Sequence, residues 1–453
     1  MLRYVVSSLH ALKRFYRDTT ATSAIIFALS AIPAMGMIGI GIDYLTALAN
    51  KARLDTAADA AAIAAIVTAQ NYISANASKQ SDPALTNNAM AAGQAQATKV
   101  FYANAGVAST RVSAIAASAM QRSSQTLTAT VTYTGAQSTA FGKMFHVPTF
   151  PLRGKAASSL TMGMYLDFYL ALDMSGSMGL PTSTAGQKQL MAVNPDDRSD
   201  YPNGCQFACH FPGNQGYQTA RSNNITLRVD SVGKAVQNLI QTAMSTQTLQ
   251  NQYRIGIYPF IVNLIQAAAL SSNFSQATQV AGALGDTYLD NGTSTTIGAA
   301  LGSGGTHFTN MGQQLANYMP SSPGNGTSAS SPKPFVFLVT DGVDNEQTYT
   351  SSAGWNGGST PQQPNINSYC QYAQQQGITI SILYIPYQPI YNPDTSFAGN
   401  EDGKVNAVIP SVASTLQNCA SPGFFFTANS DADINSAMQA MFAQAQRAAR
   451  LTQ

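Results

Sequence analysis

Glutamate is nearly missing from this chain. Of 21 acidic residues only Glu346 and Glu401 are glutamates. That scarcity disfavours long solvent-exposed helices laced with Glu–Lys pairs, and it fits a secreted or envelope protein better than a cytosolic enzyme. Charge of either sign is sparse too, at 10% of residues with a net charge of +2. No basic stripe is present and tryptophan occurs once, which argues against nucleic acid as a partner. There is no Walker loop, no dinucleotide fingerprint and no G-x-S-x-G elbow, so neither nucleotide-driven work nor hydrolase chemistry is expected. The four histidines are His10, His146, His210 and His307. Of these His307 stands nearest to the hydroxyl-rich motifs described below, and its expected place is the start of a helix from Phe308. The chain therefore reads as a binding protein rather than an enzyme, with Ser, Thr, Asn and Gln covering its surface.

What is present begins with an uncharged run, Ser23 to Ile42. At about 1.5 Å per residue it reaches about 30 Å, enough to cross a bilayer core. Arg3, Lys13, Arg14 and Arg17 precede it, whereas beyond it Asp43, Lys51, Arg53, Asp55 and Asp59 nearly cancel. The positive-inside rule then leaves a basic cytoplasmic tail at 1–22, a transmembrane helix at 23–43 and the bulk of the chain outside. Ala47-Leu48-Ala49 resembles a signal-peptide cleavage site, but the long basic region and long apolar stretch favour an uncleaved anchor. Small residues four apart, Ala24/Ala28 and Ser30/Ala34, would suit helix pairing in a membrane. Ala-rich sequence from Tyr44 to about Ile73 predicts a helical stalk with Leu45, Leu48, Ala52, Ala58 and Ala62 on one face. Residues 74–93 read as a polar loop, with Ser81-Asp82-Pro83 as a turn signal. Near alternation in Thr126–Thr134 predicts strands, completing a small α+β region up to residue 160.

From residue 161 strands and helices alternate, which implies an α/β layer fold with a doubly wound, mostly parallel sheet. Tyr165–Leu172, Phe335–Thr340 and Ile378–Ile385 are continuous apolar runs of the kind buried on both faces. Arg254–Val262 is a further strand, irregular or at an edge because of Pro259, and Phe424–Thr427 is the last. Asp230 is expected to cap a helix that turns Val232, Val236, Leu239 and Ile240 inward. Asp431 to about Ala449 is the closing helix, with Ile434, Met438, Met441 and Phe442 on one face. An Asn-, Pro- and Gly-rich insertion fills roughly 180–223. Three segments carry oxygen donors in order. Asp173-Met174-Ser175-Gly176-Ser177 follows the first strand, Thr295 lies in Gly292–Gly298, and Asp341-Gly342 ends the strand from Phe335. A carboxylate and hydroxyls at alternate positions suit a hard cation such as Mg²⁺. Asp344, Asn345 and Glu346 just beyond Asp341 read as a solvated turn, with a second cation site as the alternative.

These motifs resemble the metal site of von Willebrand factor type A domains (the MIDAS motif). The resemblance implies that Ser175, Ser177 and Thr295 offer hydroxyls, while Asp173 and Asp341 bind directly or through water. Thr295 is preferred over its neighbours Thr293 and Thr296 because it stands three residues before Gly298, the family's spacing. Mg²⁺ is expected before Ca²⁺ or Mn²⁺, with one position left for water or a partner's carboxylate. The front of the chain, with Gly41-Ile42-Asp43-Tyr44 and Lys51-Ala52-Arg53-Leu54-Asp55-Thr56-Ala57-Ala58-Asp59, resembles TadG-like proteins of Tad (Flp-type) pilus assembly. So do Cys205-Gln206-Phe207-Ala208-Cys209-His210, Leu227-Arg228-Val229-Asp230 and Cys419-Ala420-Ser421-Pro422-Gly423. Pseudopilins of that system carry a Glu-Tyr processing motif, and this chain has no Glu before Glu346, so that cleavage is not expected. The implied role is a single-pass inner-membrane protein whose outer domain binds a protein partner, through an acidic side chain, among the pilus-assembly components. A surface adhesin and a structural scaffold with a stabilising metal are the alternatives.

All four cysteines lie beyond the apolar run, so an oxidising compartment is expected. Cys205–Cys209 would close a short local loop, and Cys370–Cys419 would join segments that are neighbours in the implied fold. Cys205-x3-Cys209-His210 has no second ligand pair to complete a zinc site.

Overall fold

The computed structural model describes residues 19–76, 82–116, 121–123, 126–196, 198–199, 201–206, 213–350, 354–356, 360–395 and 402–451. It divides into two compact units, Met1–Met162 and Gly163–Gln453.

The first unit comprises α1 (Thr19–Asn76), α2 (Asp82–Ala105), β1 (Val112–Ala116), β2 (Gln121–Ser123), β3 (Thr126–Ser138) and β4 (Thr149–Thr161). β3 and β4 pair antiparallel along their full length, from Thr126 opposite Thr161 to Ser138 opposite Thr149, while β1 pairs antiparallel with Thr132 to Gly135 and β2 with Thr126 to Thr128 of the same strand. Leu54, Ala57, Ala58, Ala61, Ala62, Ala65, Ile66 and Ala69 of α1 are buried, as are Leu85, Ala89, Ala97 and Phe101 of α2 and Leu127, Val131 and Tyr133 of β3. Alanine at most of these helix positions allows close approach.

Two expectations fail here. Leu45, Leu48 and Ala52 are exposed. Ala58 and Ala62 of that face are buried as expected, but nearer the membrane the inward face runs through Asp43, Ala47 and Leu54. Of the loop expected at 74–93, residues 74–76 end α1 and 82–93 lie in helix α2, while 77–81 fall outside the described residues. Pro83 sits in the first turn of α2, where a missing N–H costs nothing, so the turn signal marked a helix start.

The second unit comprises β5 (Leu166–Asp173), α3 (Thr184–Val193), α4 (Gln215–Ser222), α5 (Arg228–Thr246), β6 (Tyr253–Phe260), β7 (Ala268–Ser271), α6 (Ser275–Gly282), α7 (Thr296–Leu301), α8 (Phe308–Ala316), β8 (Lys333–Thr340), the short pair β9 (Thr348–Thr350) and β10 (Gly354–Asn356), α9 (Asn367–Gln375), β11 (Thr379–Tyr384), α10 (Gly403–Cys419), β12 (Phe425–Thr427) and α11 (Asp431–Leu451). Its sheet has the order β12-β11-β8-β5-β6-β7. All neighbours are parallel except β6 and β7. This is the doubly wound α/β fold expected. The edge strand β7 had no clear signal in the sequence. β6 lies one strand in from the edge, and Pro259 comes after its last pairing with β7 at Ile257, so its missing N–H breaks no bond of that ladder.

Successive residues of β5 feed opposite layers. Phe168, Leu170 and Leu172 pack with α5, α6 and α11, and Tyr169 and Ala171 pack with α8, α9 and α10. Cys370 of α9 is disulfide-bonded to Cys419 at the end of α10. Cys209 and His210 lie outside the described residues, and with them the Cys205–Cys209 pairing. Asp230 does not precede its helix. It is the third residue of α5, and its carboxylate reaches back to the Leu227 N–H at 3.0 Å.

Candidate metal centre

The first strand of this unit, β5, sits at the middle of the sheet. The chain leaves it on one side for β6 and later returns on its other side as β8. Open α/β sheets form their binding crevice at the carboxyl ends of strands beside such a reversal. Asp173 is the last residue of β5 and Asp341 directly follows β8. Gly342 then takes a φ of +83°, with α10 residues Val412 and Leu416 where a Cβ would point, so the turn out of the sheet needs glycine.

The side chains converge in one bonded network. Asp173 Oδ1 accepts from the Ser175 N–H at 3.0 Å and from its hydroxyl at 2.6 Å. The Ser175 and Ser177 hydroxyl oxygens are 3.0 Å apart. Thr340 Oγ1 donates to Asp173 Oδ2 at 2.6 Å. Asp341 joins the network through Arg228, whose guanidinium donates to Asp341 Oδ2 at 2.9 Å and from the same nitrogen to Ser177 O at 3.4 Å. Arg228 is fully buried and lies over the Tyr387 ring. Thr295 belongs to the next loop, which is tied to the site where the Asp290 N–H donates to Met174 O at 2.9 Å. It is the cap residue of α7. Its hydroxyl accepts from the Gly298 N–H and from Asn291 Nδ2, each at 2.9 Å. Asp173, Ser175, Ser177 and Asp341 are thus joined, while among the described residues Thr295 makes no hydrogen bond to them.

Two carboxylates buried this close together resist ionisation. Burial first, and then the Asp341 charge, push Asp173 up to about 7, against the Ser175 and Thr340 hydrogen bonds. Burial raises Asp341 as well, opposed chiefly by the Arg228 charge. Asp341 Oδ1 is buried without a hydrogen-bond partner. An unpartnered carboxylate oxygen beside hydroxyls and a second carboxylate fits a hard divalent cation. Among the described residues no group of three or more His, Cys, Asp or Glu side chains forms a metal cluster, so any cation here relies on hydroxyl oxygens.

The long first helix bears on family. Residues 22–77 match the Tad family model, described as "Putative Flp pilus-assembly TadE/G-like". No curated protein matches the chain. Among solved structures it is similar to the vWF domain of the type V pili tip protein Mfa5 from Porphyromonas gingivalis, at 12% identity, 63% of this chain, 96% of that one and a TM-score of 0.36. The PilB minor pilin from Streptococcus sanguinis shares 12% identity over 70% of this chain and 75% of its own, with a TM-score of 0.33. Proximal thread matrix protein 1 from the mussel byssus, solved with a zinc-occupied MIDAS motif, shares 11% identity over 62% of this chain and 46% of its own, with a TM-score of 0.30.

Behind the TadE/G-like segment, two site residues escape a reading of the sequence. Arg228 opens α5 between the buried Leu227 and Val229. A lone arginine in so apolar a setting was the available signal. Thr340 looked like one more β-branched strand residue, and only its neighbour Asp341 hinted at more. Asp344 is not in a solvated turn. It is fully buried, accepts from the Asn365 N–H at 2.9 Å, and forms a bridge with Gln362, while Glu346 is exposed. His307 is the cap residue of α8, with Nε2 3.1 Å from Gln347 O. Among the described residues neither Ser175 nor Ser177 is hydrogen-bonded to a histidine.

Proposed function

We propose that this chain is a membrane-anchored, non-enzymatic component of a Tad-type pilus assembly or anchoring system that binds a protein partner through a divalent cation. Asp173, Ser175, Ser177 and Asp341 would hold the cation, with Thr295 from the neighbouring loop. The cation is Mg²⁺ before Ca²⁺ or Mn²⁺, because the donor set is rich in hydroxyls. Bound there, it would supply a Lewis-acidic position for an acidic side chain of the partner. The observation that carries this reading is the convergence of two buried carboxylates and two hydroxyls at the strand ends, with Asp341 Oδ1 lacking a partner. The TadE/G-like match supports the pilus setting.

The organisation follows the same reading: tail 1–22, membrane span 23–43, stalk and α+β region 44–160, and a von Willebrand type A domain 161–453. The N-terminus is cytoplasmic and the binding domain periplasmic. The basic residues behind that orientation, Arg3 to Arg17, lie outside the described residues. Retention of the anchor is favoured by Asp43, which is bonded to residues 140–142. Cleavage after Ala49 would remove it.

Calorimetric titration of Mg²⁺ into the full chain in mild detergent, wild type beside Asp173→Ala, tests the reading. Binding by the wild type alone is expected, with the variant still folded. Equal affinity in both would sink it. One observation favours a second reading. Arg228 already supplies a positive charge to Asp341, as in a scaffold whose site stays closed. In that case the wild type binds no cation and Arg228→Met admits one.

A further inference from the structure

The apolar run of α1 is accompanied by a loop. Residues 139–148 join β3 to β4 and close on themselves: the Thr139 hydroxyl donates to Val147 O at 2.6 Å, and the Val147 N–H donates to Gly142 O at 2.9 Å. Three consecutive N–H groups, of Ala140, Phe141 and Gly142, donate to the Asp43 carboxylate at 2.8–2.9 Å. The Phe141 ring occupies the space a Cβ on Gly39 would need, and the Phe145 ring does the same at Gly36. Those glycines lie three and six residues before Ile42, so the rings reach about 5 and about 9 Å back along the uncharged run. On the outside of the loop Met144 is 73% exposed and Phe145 42%, with Phe141 and Val147 also exposed. Met35, Ile38 and Ile42 of α1, within and at the end of the same uncharged run, are exposed as well. Lys143 is the loop's only fixed charge, on a stem long enough to lift its ammonium toward headgroups.

We propose that the loop 139–148 is a membrane-inserting element, with Phe141, Met144, Phe145 and Val147 in contact with lipid acyl chains beside the anchor. The occupant of this surface is lipid because the loop is seated on the helix within its uncharged run, so the two share one surrounding medium. Isolated apolar residues need no explanation, but a patch seated on a span-length helix marks an interaction surface. Asp43 is then a positioning residue. Its carboxylate satisfies backbone groups that would otherwise enter the bilayer boundary unpaired. The inference rests on α1 being a membrane anchor, and the test separates the two.

Among the described residues no cysteine is free, so an introduced thiol can carry a nitroxide. The full chain is reconstituted into phosphatidylcholine–phosphatidylglycerol vesicles after labelling at Met144→Cys, at Ile32→Cys in the helix, or at Asn71→Cys at the far end of α1. Collision with oxygen, which concentrates in acyl chains, is compared with collision with a water-soluble nickel chelate. The Met144 label is expected to match Ile32: oxygen reaches it, and nickel accessibility is at least several-fold below that of Asn71. A Met144 label as open to nickel as Asn71, with Ile32 in lipid, overturns the loop's insertion and leaves the anchor standing. An Ile32 label open to nickel overturns both. A Met144 label closed to both reagents means that protein, such as a second copy, covers the loop, and also overturns the proposal. Adding Asp43→Ala is expected to raise nickel access at Met144, and unchanged access would overturn the positioning role.

Discussion

Arg228 carries more consequence than any other residue that the motifs leave out. It is a fully buried cation paired with a fully buried anion, and the pair is stable only while both partners remain. Arg228→Ala should lower the stability of the chain by about 3 kcal/mol in chelator. Mg²⁺ should restore more of that loss than it adds to the wild type, because the cation replaces the missing positive charge. Urea unfolding with and without Mg²⁺ measures both. Asp344 offers a pH test away from the proposed ligands. Burial pushes it from 3.8 up to about 6. Between those values the folded state holds more protons than the unfolded state, so this group's contribution to stability falls as pH rises through about 6 and is regained on acidification. Asp344→Asn keeps an acceptor for Asn365 and removes the titration. Relative to wild type, the variant should gain about 2 kcal/mol between pH 4.5 and pH 7.5. Identical pH slopes in the two proteins would refute the assignment.

At the scale of elements, the site depends on where strands end. β5 and β8 are parallel neighbours in register from Leu166–Lys333 to Leu172–Val339, so their terminal carboxylates emerge side by side. Each motif was visible in the sequence, but their meeting depends on β8 returning to the side of β5 opposite β6. The disulfide between α9 and α10 closes a separation of 49 residues on the α9–α10 side of that sheet. Reducing it should cost about 2–4 kcal/mol, through the freedom restored to the unfolded chain. Denaturant midpoints with and without reductant give the value, and Mg²⁺ affinity should change little if the sheet stays intact. Boundaries were hardest to read where one residue type serves two purposes. Asp82-Pro83 can turn a chain or start a helix, and what distinguishes the two is the buried row from Leu85 to Phe101, which exists only once α1 is beside it.

At the scale of the whole molecule, two units with separate cores are linked in one chain, and among the described residues only the first carries a helix long and apolar enough to cross a membrane. The full chain should therefore remain in the membrane fraction after carbonate washing, and a chain starting at Gly163 should not. Appearance of the full chain in the wash would contradict the anchor.

The sequence by itself determined the classes of element and the donor chemistry: an uncharged run of span length, β-branched strands that must be buried on both faces, and oxygen ligands at alternate positions after a strand. These are local properties, set by periodicity and residue type. Tertiary structure decided which residues of α1 face inward, that Arg228 reaches Asp341, and that a loop about 100 residues beyond Asp43 lies along the apolar run. Those facts depend on contacts between segments far apart in the chain, where side-chain size and the pairing of buried charge, rather than local propensity, choose the partner.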